Sequence, residues 1–370
     1  MMRPCIFILG TRAQLVKVAP VLREAVESGL PHCVWFSGQH RESISDLIAD
    51  FALQSSFVMP ETHEEKSSIK SLVAWVPRML RDSRRYLLKQ AGAANAAPLV
   101  VVHGDTLTTF LAALAAKLSA GDVVHLESGL SSKSLLDPFP EELLRRMTFR
   151  LTRYALCPNP EAVAIMQRFR GCKVVNTFEN TLLDSVRYAL ANNARAACDQ
   201  EDAYFVASVH RFQNLYQSSR LTRLVLELVQ ISRRGKVYFV LHPPTARRLK
   251  ETGLIEKLQD GPSIRLIPRL PYTRFLTLLA NARGVFTDGG SNQEELSYLG
   301  VPAILFRTCS ERPDGLGSNI RLIDEIDQTL DEFITSGGLD AIRQPARTGS
   351  KVFPSAHVVK MLRDWATLDS

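Results

Sequence analysis

The sequence predicts an α/β protein built from two doubly wound halves with parallel sheets. Three observations carry this. Apolar runs of strand length recur through most of the 370 residues, segments of helical period separate them, and the pattern starts again near residue 203. A chain of this length exceeds a single compact core, so two domains are expected. Short apolar runs without polar alternation, set between helices, belong to parallel strands buried on both faces.

In the first half, "CIFILG" (5–10) leads into "AQLVKVAPVLREAVESG", "CVWFSG" (33–38) into "RESISDLIADF", and "PLVVVHGD" (98–105) into "TLTTFLAALAAKLSAG". "DVVHLESG" (122–129), "RYALCPN" (153–159) and "CKVVNT" (172–177) complete it. The second half offers "AYFVASVHR" (203–211), "KVYFVLHPP" (236–244), "SIRLIPRL" (263–270), "RGVFTDGG" (283–290) and "PAILFRT" (302–308). The polar, alanine-rich "ANNARAACDQED" (191–202) lies between them, so a linker is placed near 180–202. The expected domains are 1–185 and 186–354, with the last helical segment, from 355 to 370, packing back on the first. Polar residues 61–68 read as a loop.

Composition narrows the function. Hydrophobic residues make up 45% and charged residues 22%, as in ordinary globular proteins. The net charge of +7 comes from scattered Lys and Arg, clustered only in "RDSRR" (81–85) and "ARR" (246–248). Such scatter reads as solvated surface with a few anion contacts, and argues against nucleic acid. No apolar stretch is long enough to span a bilayer, and the N-terminal run reads as a strand, not a signal peptide. The six cysteines (Cys5, Cys33, Cys157, Cys172, Cys198, Cys309) form no C-x-x-C and no metal-ligand spacing. Reduced, buried thiols in a cytoplasmic protein are therefore expected, with no metal and no cofactor.

Ligands of open α/β sheets bind at the carboxyl ends of the strands, so the residues directly after each strand are the informative ones. After the first comes "GTRAQLVK" (10–17), where Gly10 permits a tight turn and Arg12, with the helix start behind it, suits an anion. This is neither a dinucleotide fingerprint nor a Walker A loop. Asp105 in "HGDT" and Glu127 in "HLESG" fall at one sheet edge, and "DPFPEELLRR" (137–146) opens a helix with Glu141 and Glu142. Asp105 alone reads better as a helix cap, and Glu141 and Glu142 alone as partners of the helix dipole. Together they suit proton abstraction and delivery. In the second half, "SVHRFQN" (208–214) sets His210 and Arg211 after a strand, and "LHPP" (241–244) sets His242 after the next. In "TDGGSNQEE" (287–295), Gly289, Gly290 and Ser291 can bring backbone amides to a phosphate, and Glu295, a turn later, can accept bonds from ribose hydroxyls. A plain glycine turn is the competing reading.

The segments "GTRAQLVKVAP", "GQHRE", "VVHGDTLTT", "HLESGL", "PFPEE", "NTLLD", "HRFQN", "LHP", "TDGGSNQEE", "LGVPAILFR" and "ERPDG" follow one another from residue 10 to about 315. This ordered set resembles the UDP-N-acetylglucosamine 2-epimerase family. The resemblance implies two Rossmann-like domains facing across a cleft, as in GT-B glycosyltransferases, with a UDP-sugar between them. It implies inversion at C2 of a UDP-N-acetylhexosamine by elimination of UDP and re-addition through a 2-acetamidoglucal, in surface polysaccharide synthesis. A hydrolysing 2-epimerase, a GT-B glycosyltransferase and a non-catalytic nucleotide-sugar binder are the alternatives. By motif, Asp105, Glu127 and Glu141 match the acid–base carboxylates and His210 the histidine near the phosphates. Arg12, Lys17, Arg211, His242, Gly289, Gly290, Ser291, Glu295 and Arg312 match substrate positions, and Gln39 and Arg41 partly match an activator site. A homodimer without cofactor is implied. The chain departs from the family at Ala13 and Gln14 (usually Pro-Glu), Ser131 (Arg) and Gln213 (Glu), and in "DGGS" for "DSGG".

Overall fold

A computed structural model of the chain describes residues 2–38, 44–59, 69–131, 140–192, 203–310 and 313–367. The first elements are β1 (Cys5–Leu9), α1 (Arg12–Glu27), β2 (His32–Phe36), α2 (Ser45–Asp50), β3 (Phe57–Val58), α3 (Ile69–Ala94), β4 (Leu99–His103), α4 (Leu107–Lys117), β5 (Asp122–Leu126), α5 (Glu141–Leu151), β6 (Tyr154–Cys157), α6 (Pro160–Met166), β7 (Lys173–Asn176) and α7 (Leu182–Asn192). Then come β8 (Tyr204–Ser208), α8 (Phe212–Tyr216), α9 (Ser218–Ile231), β9 (Lys236–Leu241), α10 (Pro243–Glu251), α11 (Leu254–Gln259), β10 (Ile264–Pro268), α12 (Tyr272–Ala280), β11 (Gly284–Thr287), α13 (Gly290–Leu299), β12 (Ala303–Leu305), β13 (Ile320–Leu322), α14 (Leu330–Thr335), α15 (Gly338–Ile342) and α16 (Pro354–Thr367).

The chain divides into two compact units, Met1–Ser185 with Lys351–Ser370, and Val186–Ser350. Unit 1 holds a seven-stranded sheet in the order β3-β2-β1-β4-β5-β6-β7, and unit 2 a six-stranded sheet in the order β10-β9-β8-β11-β12-β13. The strand pairs are parallel, as the uniformly apolar runs predict. Two short edge strands, β3 and β13, add to the strands read from the sequence; with two and three residues they are too short to show a period. Part of the expected linker is helical, as α7, while residues 193–202 and the loop expected at 61–68 lie outside the described residues.

All five residues of β1 are buried, and one side of the unit 1 sheet packs Ile6, Ile8, Val100 and Val102 against Met79, Leu87 and Ala112 of α3 and α4. Each large side chain so buried contributes about 1.5–3 kcal/mol. On α1, Pro20 lacks an N–H and so frees the carbonyl of Val16. Ser185 Oγ of α7 donates to that oxygen at 2.7 Å, and Thr181 Oγ1 donates to the carbonyl of Lys17 at 2.6 Å. The α7 end of unit 1 thereby fixes the helix turn that carries Lys17. The terminal helix α16 packs on α1, and Trp365 stacks on Tyr154 at 4.2 Å. In unit 2 the core gathers Phe205, Phe239, Phe286 and Ile304 with Leu224, Leu228 and Leu254.

In each unit the chain winds outward from one strand and then restarts on its other side. The switch lies between β1 and β4 in unit 1 and between β8 and β11 in unit 2. Loops at the carboxyl ends of those strands part to either side and leave room for a ligand.

Candidate active site

At the unit 1 switch, Thr11 caps α1 and forms a capping box with Gln14. Gln14 is buried, and its amide is fully used. Oε1 accepts from the N–H of Gly10 at 2.8 Å and of Thr11 at 3.2 Å. Nε2 donates to the His103 carbonyl at 2.6 Å and to Thr109 Oγ1 at 2.9 Å. The β1–α1 and β4–α4 turns are thus joined by one side chain. Gly10 serves this closeness more than a turn: a Cβ there would stand 2.2 Å from Thr108 Oγ1. Arg12 makes a two-pronged pair with Asp46 at 2.5 Å.

The carboxylates lie just beyond. The Glu127 side chain is only 7% exposed; Oε1 is 2.7 Å from Lys17 Nζ and Oε2 is 3.3 Å from His103 Nε2. Its φ of +59° is left-handed, which a Cβ makes costly by about 1–2 kcal/mol. Asp105, with a side chain 30% exposed, pairs with Arg145. Arg145 also reaches Glu142 at 2.5 Å, and Glu142, fully buried, takes Arg146 at 2.9 Å and the hydroxyl of Ser131 at 2.6 Å. Burial works against the Arg145 charge, but Asp105 and Glu142 outweigh it and hold the guanidinium above its ordinary value. Glu141 stands exposed at the first position of α5, so the ion pairs at this helix start are made by Glu142. His125 is buried between the two loops, and burial, only partly offset by its bond to Gly104 and by Asp105 and Glu127, pushes its pKa down to about 4.

The unit 2 switch is organised by Asp288. Fully buried, it accepts from the backbone N–H of His210 at 3.0 Å and of Arg211 at 2.9 Å, and from Asn214 Nδ2 at 2.9 Å. The His210 Nδ1 is 3.5 Å from Asp288 Oδ1, and the ring lies against His242 with centroids 4.5 Å apart. His242 caps α10 and comes within 3.4 Å of Ser208 Oγ. Gly289 caps α13, whose first residues are Gly290 and Ser291. A Cβ at Gly289 would touch His210 Cε1 at 3.3 Å, so glycine admits the ring. The first amides of a helix have no intrahelical acceptor and attract anions. Glu295 is buried on the same helix.

Asp105, Glu127 and Lys17 therefore gather in unit 1, and His210, Arg211, His242, Gly289, Gly290 and Ser291 in unit 2. Gln39, Arg41 and Arg312 lie outside the described residues. Sequence reasoning passed over Arg145, His103, His125, Asn214 and Asp288, and it named Glu142 only beside Glu141. The spacing of Glu142 to Arg145 and Arg146, three and four residues on, was the signal available for the pairing of Glu142 with Arg145. Cys5 and Cys157 are buried thiols whose pKa burial pushes up to about 12, while Cys309 is exposed.

Residues 24–335 match the family model described as UDP-N-acetylglucosamine 2-epimerase. Among curated relatives, the UDP-N-acetylglucosamine 2-epimerase of Methanocaldococcus jannaschii is 31% identical over 346 residues, covering 87% of this chain and 89% of the relative. That of Neisseria meningitidis serogroup A is 23% identical, with 89% of each covered. The crystal structure of the Methanocaldococcus jannaschii enzyme in complex with UDP-GlcNAc and UDP has a TM-score of 0.78 at 26% identity, covering 97% of this chain and 99% of that one. The Neisseria meningitidis enzyme bound to UDP-GlcNAc has a TM-score of 0.79 at 22% identity, with the same coverage. The fold is accordingly that of these structures, two Rossmann-like units of GT-B type.

Proposed function

Since this chain belongs to the UDP-N-acetylglucosamine 2-epimerase family, a family of isomerases, we propose that it inverts C2 of a UDP-N-acetylhexosamine. A base takes the C2 proton, UDP departs from the opposite face, and a 2-acetamidoglucal remains. A proton then returns to the other face of C2 while UDP adds back. The observation that carries this reading is the pair of carboxylates at the unit 1 switch, held in unlike surroundings. The Glu127 side chain is shielded from solvent against Lys17, whereas that of Asp105 is partly exposed beside Arg145. Two-faced proton exchange needs groups whose environments set them apart, one giving while the other takes.

Glu141, exposed at the start of α5, is the third acid in this scheme. Glu142, locked by two arginines, fixes Arg145 and takes no proton. Unit 2 is assigned the leaving group. The α13 amides at Gly290 and Ser291 face the diphosphate, and His210 protonates or releases it. Arg12, Arg211, His242, Gly289, Glu295 and Arg312 are assigned to binding the UDP-sugar, and Gln39 and Arg41 to an activator. The reading also makes the protein a cytoplasmic homodimer serving surface polysaccharide synthesis. Among the described residues no helix is long and apolar enough to cross a membrane.

Proton NMR of a panel of UDP-N-acetylhexosamines in D2O tests this. Deuterium should enter at C2 as the epimer accumulates, and Asp105→Asn should stop both. A panel that incorporates no deuterium refutes the epimerase; UDP appearing with free sugar marks the hydrolysing variant instead.

A further inference from the structure

Asp105 and Glu127 sit on separate loops, and a proton exchange that uses both requires their geometry to be fixed. One side chain spans the two. His125 of β5 is fully buried, with Nε2 2.8 Å from the carbonyl oxygen of Gly104 and Nδ1 3.0 Å from Ser128 Oγ. Gly104 directly precedes Asp105, and Ser128 directly follows Glu127. A carbonyl can only accept, so Nε2 carries the proton and Nδ1 receives the Ser128 hydroxyl. Both loops need restraint, because Gly104 and Glu127 have φ of +67° and +59°. The two loops are also close: a Cβ on Gly104 would lie 3.8 Å from Glu127 Oε2.

We infer that His125 is a positioning residue: a neutral strut of one fixed tautomer that ties the Asp105 loop to the Glu127 loop and so sets the two carboxylates for proton transfer at C2. The inference rests on the epimerase reading above. The charged groups acting on the ring are Asp105, Glu127 and Arg145, and from α5 the ring of Phe149 packs at 5.8 Å. Burial prevails over the two carboxylates and keeps the imidazole neutral, which a donor to Gly104 and acceptor from Ser128 must be. The proposed exchange gives His125 no proton to move, so its role is geometric.

Two measurements on the full chain decide it. In long-range 1H–15N NMR of histidine-labelled protein, with His125 assigned by its loss in His125→Gln, the ring should show the Nε2–H neutral tautomer unchanged from about pH 5.5 to about 8.5. The Nδ1–H tautomer, or titration near the ordinary value of 6.5, overturns the inference. For the kinetics, His125→Phe keeps the bulk and loses both bonds, His125→Gln keeps an N–H where Nε2 stood, and Ser128→Ala removes the second anchor. Misplaced carboxylates should cost kcat about 100-fold in His125→Phe and about tenfold in Ser128→Ala, with KM and the calorimetric Kd for UDP within about threefold of wild type. His125→Gln should regain at least about tenfold over His125→Phe. Unchanged kcat in Ser128→Ala, or losses that fall on KM, overturn it. Should His125→Phe not fold, Ser128→Ala and the wild-type spectrum decide alone. A wild type that exchanges no C2 hydrogen sinks the epimerase reading, whereas the spectrum still judges the strut.

Discussion

Lowering the pH from about 8 to about 5 is expected to cost unit 1 about 2 kcal/mol of stability through His125 alone. In the unfolded chain this histidine protonates near 6.5; in the fold, burial holds it neutral down to about 4. Between these values the unfolded state binds a proton that the folded state refuses, so stability rises with pH across this window. The contribution is whole above 6.5 and gone below 4. The gap between 6.5 and about 4, at about 1.4 kcal/mol per pH unit, amounts to about 3 kcal/mol, of which about 2 is lost by pH 5. The assay can be confined to the right unit, because all three tryptophans, Trp35, Trp75 and Trp365, belong to unit 1. Urea unfolding followed by tryptophan fluorescence should be compared between wild type and His125→Gln, whose amide does not titrate. Wild type should lose about 2 kcal/mol more than the variant between the two pH values. Parallel stability curves would refute the reasoning, since they would mean that the ring is either protonated in the fold or open to water.

Other consequences can be checked on the same footing. Glu142→Ala takes one of two carboxylates from Arg145, which keeps Asp105, and the 2.9 Å carboxylate from Arg146, and should destabilise unit 1 by about 1–3 kcal/mol in the same fluorescence assay. Glu141→Ala, at an exposed position, should stay within about 0.5 kcal/mol of wild type yet slow C2 exchange by about 100-fold or more; full exchange in that variant would remove Glu141 from the acids. Gly10→Ala places a Cβ 2.2 Å from Thr108 Oγ1 and 2.7 Å from its Cβ, so the turn must shift, at about 1–3 kcal/mol, and Tm should fall. Asp288→Ala removes the carboxylate that accepts from the N–H groups of His210 and Arg211 and one of the two acceptors of the Asn214 amide, which keeps the Phe306 carbonyl. Its Kd for UDP by calorimetry should weaken by about tenfold or more, and an unchanged Kd would separate Asp288 from the binding role.

What the sequence disclosed follows from what is local. An all-apolar run such as that of β1 or β4 has few explanations other than a buried parallel strand, so the central strands were legible, while β3 and β13 carry too few residues for any pattern. The strand-end rule singled out Asp105, Glu127, His210 and His242, which stand just after β4, β5, β8 and β9, because that rule depends only on chain order. It could not separate Glu141 from Glu142. Neighbours on a helix point about 100° apart, and both acids have an arginine three or four residues on. Only the packing of α5 shows which acid turns inward. His125 and Asp288 were hidden for a related reason. A histidine in an apolar strand and an aspartate before two glycines are unremarkable locally. Their partners lie 21 residues away at Gly104 and 78 and 74 residues away at His210 and Asn214.

The departures from the family pattern look different once those contacts are counted. A glutamate at position 14 could accept from Gly10 and Thr11, but it could not donate to the His103 carbonyl 2.6 Å away. Ionised, it would set negative charge against that oxygen. Glutamine meets both demands, with its oxygen toward two N–H groups and its nitrogen toward three oxygens. Ser131 likewise replaces a cation without leaving Glu142 short of partners, because Arg145 and Arg146 already supply two charges and the hydroxyl adds a third bond. These two substitutions fall on supporting positions, and each supplies hydrogen bonds that its buried neighbours need for the fold. Ala13, exposed on α1, and Gln213, exposed on α8, are departures that nothing in the structure explains.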